Sequence, residues 1–437
     1  MQRCQGFDVL QRHNPLQKLG YEAIYLMSKL LIVGGGIGGL STALACARGG
    51  AKVELFERAS AFSEVGAGIQ LGPNAVRVLY DWGLEEALHR VAAFPRRLQV
   101  RCATTGTELG VLRLGQVAQQ RYGAPYLTIH RADLQDMLVQ GVGQESRVSL
   151  HLNSAVTDIS QDAHGVRLEV AGTEGVMGCA VVAADGGYSR MRQLVLTDGL
   201  PQPTGHLAYR AMVEQDSLPA ALRSQQVTAW LGPKLHVVQY PVRAGRWLNV
   251  VAIVHGHVQG EMSHWDHSAN ANDLQRCLAH TCAPLQSLVA AIARWRLWPL
   301  SIRPPMSGAH QHAKGRVVLI GDAAHPMVPY LAQGAGMAIE DAAALTHALS
   351  QGGFFTDDGD GTAVPALLAQ FAQSRWQRNA RVQARAIRNG EIFHATGALR
   401  WGRDLAMQLL GESLLDMPWL YGHDAVRRVD ASTGSRA

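Results

Sequence analysis

The stretch "KLLIVGGGIGGLSTALACARGGAKVELFERA", Lys29 to Ala59, restricts the fold more than any other part of the chain. It reads as an apolar strand, a glycine turn, a helix and a second strand, a βαβ unit and so the start of a parallel sheet. Gly34, Gly36 and Gly39 fit G-x-G-x-x-G, with Gly38 inside the same turn. The first glycine makes the tight turn, the second lets the backbone approach a pyrophosphate, and the third lets the helix pack on the strand. The helix N-terminus then offers free amides and the positive end of its dipole to the phosphates. Glu57 closes the second strand about twenty residues on, where an acid accepts ribose hydroxyls. A dinucleotide site is expected, and this motif does not choose between FAD and NAD.

Two later segments have a related form. "VVAADGGYSRMR" (181–192) is a strand that delivers Asp185 and Gly186, then Ser189 and Arg192; "VVLIGDAAH" (317–325) is a strand ending in Asp322. An Asp at the carboxyl end of a strand, beside a helix N-terminus, sits where open α/β sheets bind ligands. The second segment runs on through Pro329, Tyr330, Gly334, Ala335 and Gly336 into a helix expected from Met337 to about residue 349. No second G-x-G-x-x-G occurs, so a nicotinamide cofactor is expected to visit a shared groove.

Residues 206–254 contain three strand-like stretches, "LAYRAMV", "LHVVQYPV" and "WLNVVAIV". Their alternation and aromatics predict an antiparallel sheet beside the nucleotide domain. His236, Val238 and Tyr240 share one face of it, which sets an imidazole beside a phenol. An imidazole takes a proton from a phenol near neutral pH, although the spacing alone favours a surface His and a core Tyr. Tyr209 and Arg210 are further pocket candidates, Arg210 as partner for a carboxylate.

Composition bounds the rest. The chain has 437 residues, enough for two or three domains, and 17% charged residues with a net charge of +5. That excludes a mostly disordered chain, and no basic block has the aromatic interleaving of a nucleic-acid surface. No run of 18 apolar residues exists, so no membrane span is expected. Residues 1–26 lack a secretory core, and Met27-Ser28-Lys29 looks like a natural start; a poorly ordered extension is expected there. The six Cys form no C-x-x-C pair, and Cys277, His280 and Cys282 have no second ligand pair, so neither disulfides nor a metal are expected and the cytoplasm is the expected location. His264 and His312 have no partner pattern and read as structural. Arg375, Arg378, Arg381, Arg385 and Arg388 fall on one helix face, read as solvated, with an acidic partner or a dimer mate as the alternative. Residues 354–365 read as a loop, and the tail after Arg427 as disordered.

The glycine fingerprint, the D-G-x-x-S-x-x-R segment and the G-D…P…G segment, in this order and spacing over about residues 27–390, resemble the single-component flavin aromatic hydroxylases. "EVGAGIQLGPNAVRVL" (64–79) and "IHRADL" (129–134) are similar to the salicylate hydroxylase subgroup. The resemblance implies a Rossmann-like α/β FAD domain from 27–98, 124–205 and 303–352, an inserted antiparallel-sheet substrate domain from 99–123 and 206–302, and a helical region over 353–437. It implies bound FAD, with Glu57 and Arg58 at the adenosine ribose, Arg131 at the ribityl or phosphate region, Val156 against adenine and Asp322 on the ribityl chain. Asp185 would support the same groove, Gly68 would line it, and Arg192 would serve both FAD and nicotinamide. Amides of Ala335 and Gly336, freed by Gly334, would face the flavin N1/O2 edge. His236 would be the base, Tyr240 would lie in the pocket, and Pro329 and Tyr330 would face the reactive edge. The Pro-Tyr pair resembles salicylate hydroxylases, whereas 3-hydroxybenzoate 6-hydroxylases carry Gln in place of Pro329.

The expected reaction uses NAD(P)H and O2, forms a flavin C4a-hydroperoxide and hydroxylates a small phenolic acid, salicylate first. The alternatives are 3-hydroxybenzoate 6-hydroxylation, oxidation of a bulkier quinone precursor, a flavin-free NAD dehydrogenase, or a non-catalytic FAD-binding protein.

Overall fold

The protein's computed structural model describes residues 29–62, 67–256, 267–269 (as backbone), 271–355 and 361–425. The expected N-terminal extension, the tail beyond Arg427 and His264 lie outside them.

Five strands form a parallel run in the order Val317–Leu319, Ala180–Ala183, Lys29–Val33, Lys52–Phe56 and Val148–His151, with the short strand Ala313–Lys314 antiparallel at one edge. Both faces of the sheet's centre are covered, so Lys29–Val33, Ala180–Ala183 and Val317–Leu319 are nearly continuous apolar runs, whereas Lys52–Phe56 and the edge strand Val148–His151 carry polar residues. Leu30 and Ile32 pack among residues of the helices Ile37–Arg48, Arg131–Gly143 and Gly334–Gln351. Leu31 and Val33 face the other way, onto a small antiparallel sheet of Val156–Gln161, Val166–Val170 and Val176–Gly178. The chain leaves Lys29–Val33 to build strands on both sides of it, which makes a switch point beside the glycine turn.

A second sheet has eight strands, in the order His267–Ala269, Trp295–Ile302, Gln202–Glu214, Trp247–His255, Leu235–Val242, Val227–Gly232, Arg97–Cys102 and Glu108–Arg113. It is antiparallel apart from the pair Val227–Gly232 and Arg97–Cys102. One face carries a separate core that includes Tyr209, Val237 and Val250. The other face turns toward the parallel sheet.

The long helix Val364–Phe393 departs from the expected solvated arginine face. Its buried stripe runs through Phe371, Arg375, Asn379, Val382 and Ala386, and Arg375 is only 2% exposed. A buried guanidinium persists only with carboxylate partners. Arg375 bonds Glu340 and Asp341 at 2.9 Å each, and Arg378 adds two bonds of 2.7 Å to Glu340. Arg381 instead lies 4.0 Å over the Trp419 ring. Exposed apolar side chains lie on the following helix, Gly397–Leu410, at Leu399, Trp401, Leu405 and Leu409.

Candidate functional site

The parallel strands end at one edge, where Gly34, Glu57, Asp185 and Asp322 follow them. A cavity of about 700 Å³ opens there and is walled on its far side by the eight-stranded sheet. Gly36, Asp185 and Asp322, from three distant segments, all border it.

The glycine turn has a geometric reason at each step. Gly34 has φ +105°, and a Cβ on it would stand 2.5 Å from the Ala184 carbonyl oxygen. A Cβ on Gly39 would stand 1.9 Å from the Gly34 carbonyl oxygen, so this glycine sets how closely helix and strand approach. Gly36 has nothing within 4 Å of that position and borders the cavity, as does Gly38. Gly36 is also the N-cap of Ile37–Arg48, and no side chain caps the helix. Glu57 does more than end its strand: its carboxylate accepts from the amides of Gly35 at 2.6 Å and Ala59 at 2.8 Å, which ties the second strand to the turn. Arg58, Arg131, Val156 and Gly68 line the same cavity.

Asp185 is half-buried in the cavity wall. Burial pushes its carboxyl up, opposed by hydrogen bonds from Ser189 Oγ at 2.5 Å and the Met191 amide at 3.0 Å. Asp322 differs: it is exposed to the cavity and has no hydrogen-bond or ion-pair partner among the described residues. A buried network holds the Asp322 loop from below. Asp341 accepts from the Gly321 amide at 3.1 Å, pairs with His325 at 2.5 Å and is bonded by Arg375. Burial alone would raise the Asp341 and Glu340 carboxyls, but the surrounding cations win, holding Asp341 well below its usual range and Glu340 down at about 2. The helix Gly334–Gln351 starts directly above this network, again without a side-chain cap, with Gly334 and Ala335 in the cavity wall.

On the far wall, His236, Val238 and Tyr240 line the cavity from Leu235–Val242, with Val251 and Ile253 from the neighbouring strand. Arg210 joins them from Gln202–Glu214, and its Nε is buried with no hydrogen-bond partner. Burial lowers the pKa of its guanidinium, the state of a cation that lacks an anion. Pro329 also borders the cavity. The Tyr240 hydroxyl is committed: it donates to the Gly68 carbonyl at 2.7 Å, and burial pushes its pKa up.

Four expected positions fall elsewhere. Tyr209 points to the opposite face of the sheet, into the second core, because it alternates with Arg210. Tyr330 is buried behind the wall, its ring edge-on to His236 at 5.1 Å and its hydroxyl 2.5 Å from His206 Nδ1. Arg192 is 3% exposed; it grips Asp198 at 2.5 Å and reaches the carbonyls of Ala323 and Ala324, so it braces the Asp322 loop instead of lining the cavity. Gly336 packs inside the fold, where a Cβ would come 3.0 Å from Gln333 Oε1 and 3.4 Å from Ala75.

Two groups of side chains escaped the sequence reading. The first is the network under Asp322, in which the supposedly structural His312 takes part through Asn379, at 2.8 Å. The second is a cluster of His206, His236, His255 and His394. Strand alternation would have set His206 opposite His255, as the register does. His394 comes from the end of a distant helix and had no local signal.

The donor set suits a dinucleotide carrying a flavin. Two uncapped helix N-termini face the cavity, Gly36 leaves room for close approach to the first of them, and Asp322 presents free acceptor oxygens at the mouth of the second. With an imidazole-lined pocket across the same cleft, fold and site define a flavin-dependent oxidoreductase.

Comparison with known proteins narrows this class. The family described as "FAD binding domain" matches residues 27–386. The 3-hydroxybenzoate 6-hydroxylase of Klebsiella oxytoca is 36% identical over 396 residues, covering 90% of this chain and 96% of that protein. A salicylate hydroxylase substrate complex superposes with a TM-score of 0.77 at 27% identity, over 92% of this chain and 97% of its own. HpxO of Klebsiella pneumoniae, complexed with FAD and uric acid, gives a TM-score of 0.76 at 25% identity, over 89% and 94%. The chain belongs to this FAD-binding family, among the single-component FAD-dependent aromatic hydroxylases, and FAD is its cofactor. Among the described residues, no helix is long and apolar enough to cross a membrane.

Proposed function

We propose that the protein hydroxylates the ring of a small phenolic carboxylic acid, with NAD(P)H as reductant and O2 as oxygen source. The observation that carries this reading is the joint placement of His236 and Arg210 on one apolar wall, opposite Asp322 and the N-terminus of Gly334–Gln351. When bound, FAD accepts hydride from NAD(P)H and activates O2 for transfer of one oxygen atom.

The wall residues then divide the work. The Arg210 guanidinium holds the substrate carboxylate and fixes the ring's orientation. His236 accepts the phenol proton; its Nδ1 is engaged by His394 at 2.7 Å, which leaves Nε2 for the cavity. The phenolate ring is more electron-rich and a better nucleophile toward electrophilic oxygen. Val238, Val251 and Ile253 keep water from the reacting atoms. At the other end, the amides of Gly36–Gly38 hold the pyrophosphate, Asp322 accepts from the sugar-alcohol chain, and the dipole of Gly334–Gln351 favours negative charge on the reduced ring. Glu57 acts on the ribose only with the oxygen capacity its two amide bonds leave. The names of the relatives put salicylate and 3-hydroxybenzoate first among substrates to try.

His236→Ala tests the reading. Hydroxylation is expected to fall by about 10²–10⁴-fold, with NADH oxidation diverted to hydrogen peroxide and FAD retained. Unchanged coupling of NADH use to product at every pH removes His236 from the chemistry.

A further inference from the structure

His236 is 2% exposed and sits in the cavity wall. A base so enclosed needs somewhere to send the proton it takes. Burial and the neighbouring His206 push its pKa down to about 3, so it holds a proton poorly. The structure shows a continuous line of imidazoles leading away from it. His236 Nδ1 lies 2.7 Å from His394 Nε2, and His394 Nδ1 lies 3.0 Å from His255 Nε2. His394 is buried at the end of the long helix, while His255 ends its strand exposed. Every link joins the two nitrogens that a ring-to-ring transfer requires, and each ring has its second nitrogen on the opposite side. His206 flanks the line, tilted against His255 with ring centres 4.4 Å apart, and is anchored by Tyr330. The cations nearest the line are Lys234 beside His255 and Arg403 beside His394, and both disfavour a resident charge on it.

We propose that His236, His394 and His255 form a proton relay that carries the phenol proton from the cavity to water at the surface. This rests on the phenol-hydroxylating reading above. The steps balance. The phenol O–H breaks and its proton goes to His236 Nε2; the Nδ1 proton of His236 passes to His394 Nε2. The Nδ1 proton of His394 passes to His255 Nε2, and that of His255 leaves to water. One proton enters and one leaves, all three rings end neutral in the other tautomer, and no redox step is involved. Run in reverse, the relay returns a proton to the product oxygen and resets the tautomers.

The test uses FAD-loaded protein with salicylate or 3-hydroxybenzoate and NADH in dilute buffer. His394→Gln and His255→Gln keep hydrogen-bonding atoms but cannot pass a proton on. Both are expected to retain FAD and bind the phenol as wild type does, judged by the flavin difference spectrum. Coupled hydroxylation is expected to fall by about 10²-fold, within the range for a lost proton transfer. The solvent deuterium isotope effect is expected to change with it. Added imidazole is expected to restore His255→Gln, whose position meets solvent, and not His394→Gln. Wild-type coupled rates and isotope effects in both variants overturn the relay while leaving His236 as base. So does a stoichiometric divalent metal in the purified protein that is lost in His255→Gln, because the facing nitrogens of His206, His255 and His394 lie within 4.8 Å of one another. A wild-type holoenzyme that transforms no phenol overturns the underlying reading and the relay together.

Discussion

The two ends of the cavity are built by opposite means. At the end proposed for the cofactor, the cavity is lined by short contiguous segments: a glycine turn, a strand ending in Asp, a helix N-terminus. Backbone geometry does most of the work there, and side chains mainly brace it from beneath. At the phenol end, the wall is assembled from side chains on separate strands, and the groups behind it come from residues 206, 255, 330 and 394. Backbone cradles are specified by local sequence rules, whereas a pocket of side chains is specified by register and long-range packing. Substitutions should therefore separate retention of FAD from recognition of substrate.

The largest expected effect lies beneath the cofactor end. Arg375→Met leaves Glu340 and Asp341 buried without their shared cation, and breaking such a network typically costs about 3–5 kcal/mol. Thermal unfolding is expected to move down accordingly and FAD to be lost with it, because Asp341 also holds the Gly321 amide. A variant that unfolds like wild type and stays yellow would show that the loop stands without its support.

Acid acts on the two ends with the same sign and largely in different windows. His236 is lowered to about 3 and His206 to about 4, chiefly by burial. Below the ordinary histidine value of 6.5 the unfolded chain takes up protons that the folded chain refuses, so stability present at pH 7 is lost progressively from about 6.5 down to the folded values of about 4 and 3. Each pKa unit is worth about 1.4 kcal/mol at most. His312, lowered to about 4 under the cofactor loop, adds to the same window. Glu340, lowered to about 2, gives up its contribution only as pH falls below the usual 4.5. Unfolding measured against pH is expected to show a shallower slope between 6.5 and 4 in His206→Gln/His394→Gln, with the slope below 4.5 kept. An unchanged upper slope would mean that the histidine cluster is charged in the folded protein.

Arg210→Met acts at the phenol end alone. Loss of a charged hydrogen bond of about 1.5–3 kcal/mol corresponds to a KM for a phenolic acid raised roughly 10–100-fold, with FAD content unchanged. If the flavin leaves as well, the division between the two ends fails at this residue.

The same division explains what could be read in the sequence. The βαβ fingerprint, the two strand-end aspartates and the alternation of His236, Val238 and Tyr240 are local periodicities, and they place these residues around one cavity. Tyr209 falls outside it for a local reason, since alternation allows only one of Tyr209 and Arg210 on the cavity side. The arginine helix departs from expectation because its 3.6-residue spacing defines a face without saying whether the face meets solvent. The deciding partners, Glu340 and Asp341, lie 34 to 38 residues earlier in the chain. Arg192 stands in the expected neighbourhood and serves a different purpose there. It bonds carbonyls of the Asp322 loop, an indirect service that a motif cannot express. His394 joins the wall by tertiary packing alone.

The smallest expected effect is at the seam between the ends. The Tyr240 hydroxyl donates to the Gly68 carbonyl, and the Gly68 amide donates to Asn249 Oδ1 at 2.7 Å, so one strand residue on the cofactor side is held twice by the substrate sheet. A Cβ on Gly68 would stand 2.7 Å from Tyr240, so the contact is also steric. Tyr240→Phe removes one of the two bonds and keeps the ring, at about 1 kcal/mol. Hydroxylation is expected to stay within about tenfold of wild type, since 1.4 kcal/mol is a factor of ten, and peroxide release is expected not to rise. Loss of hydroxylation as deep as in His236→Ala, with FAD and phenol still bound, would mean that the hydroxyl leaves Gly68 during the reaction and acts on the substrate. The phenol end would then hold two working groups, and the seam would belong to the chemistry.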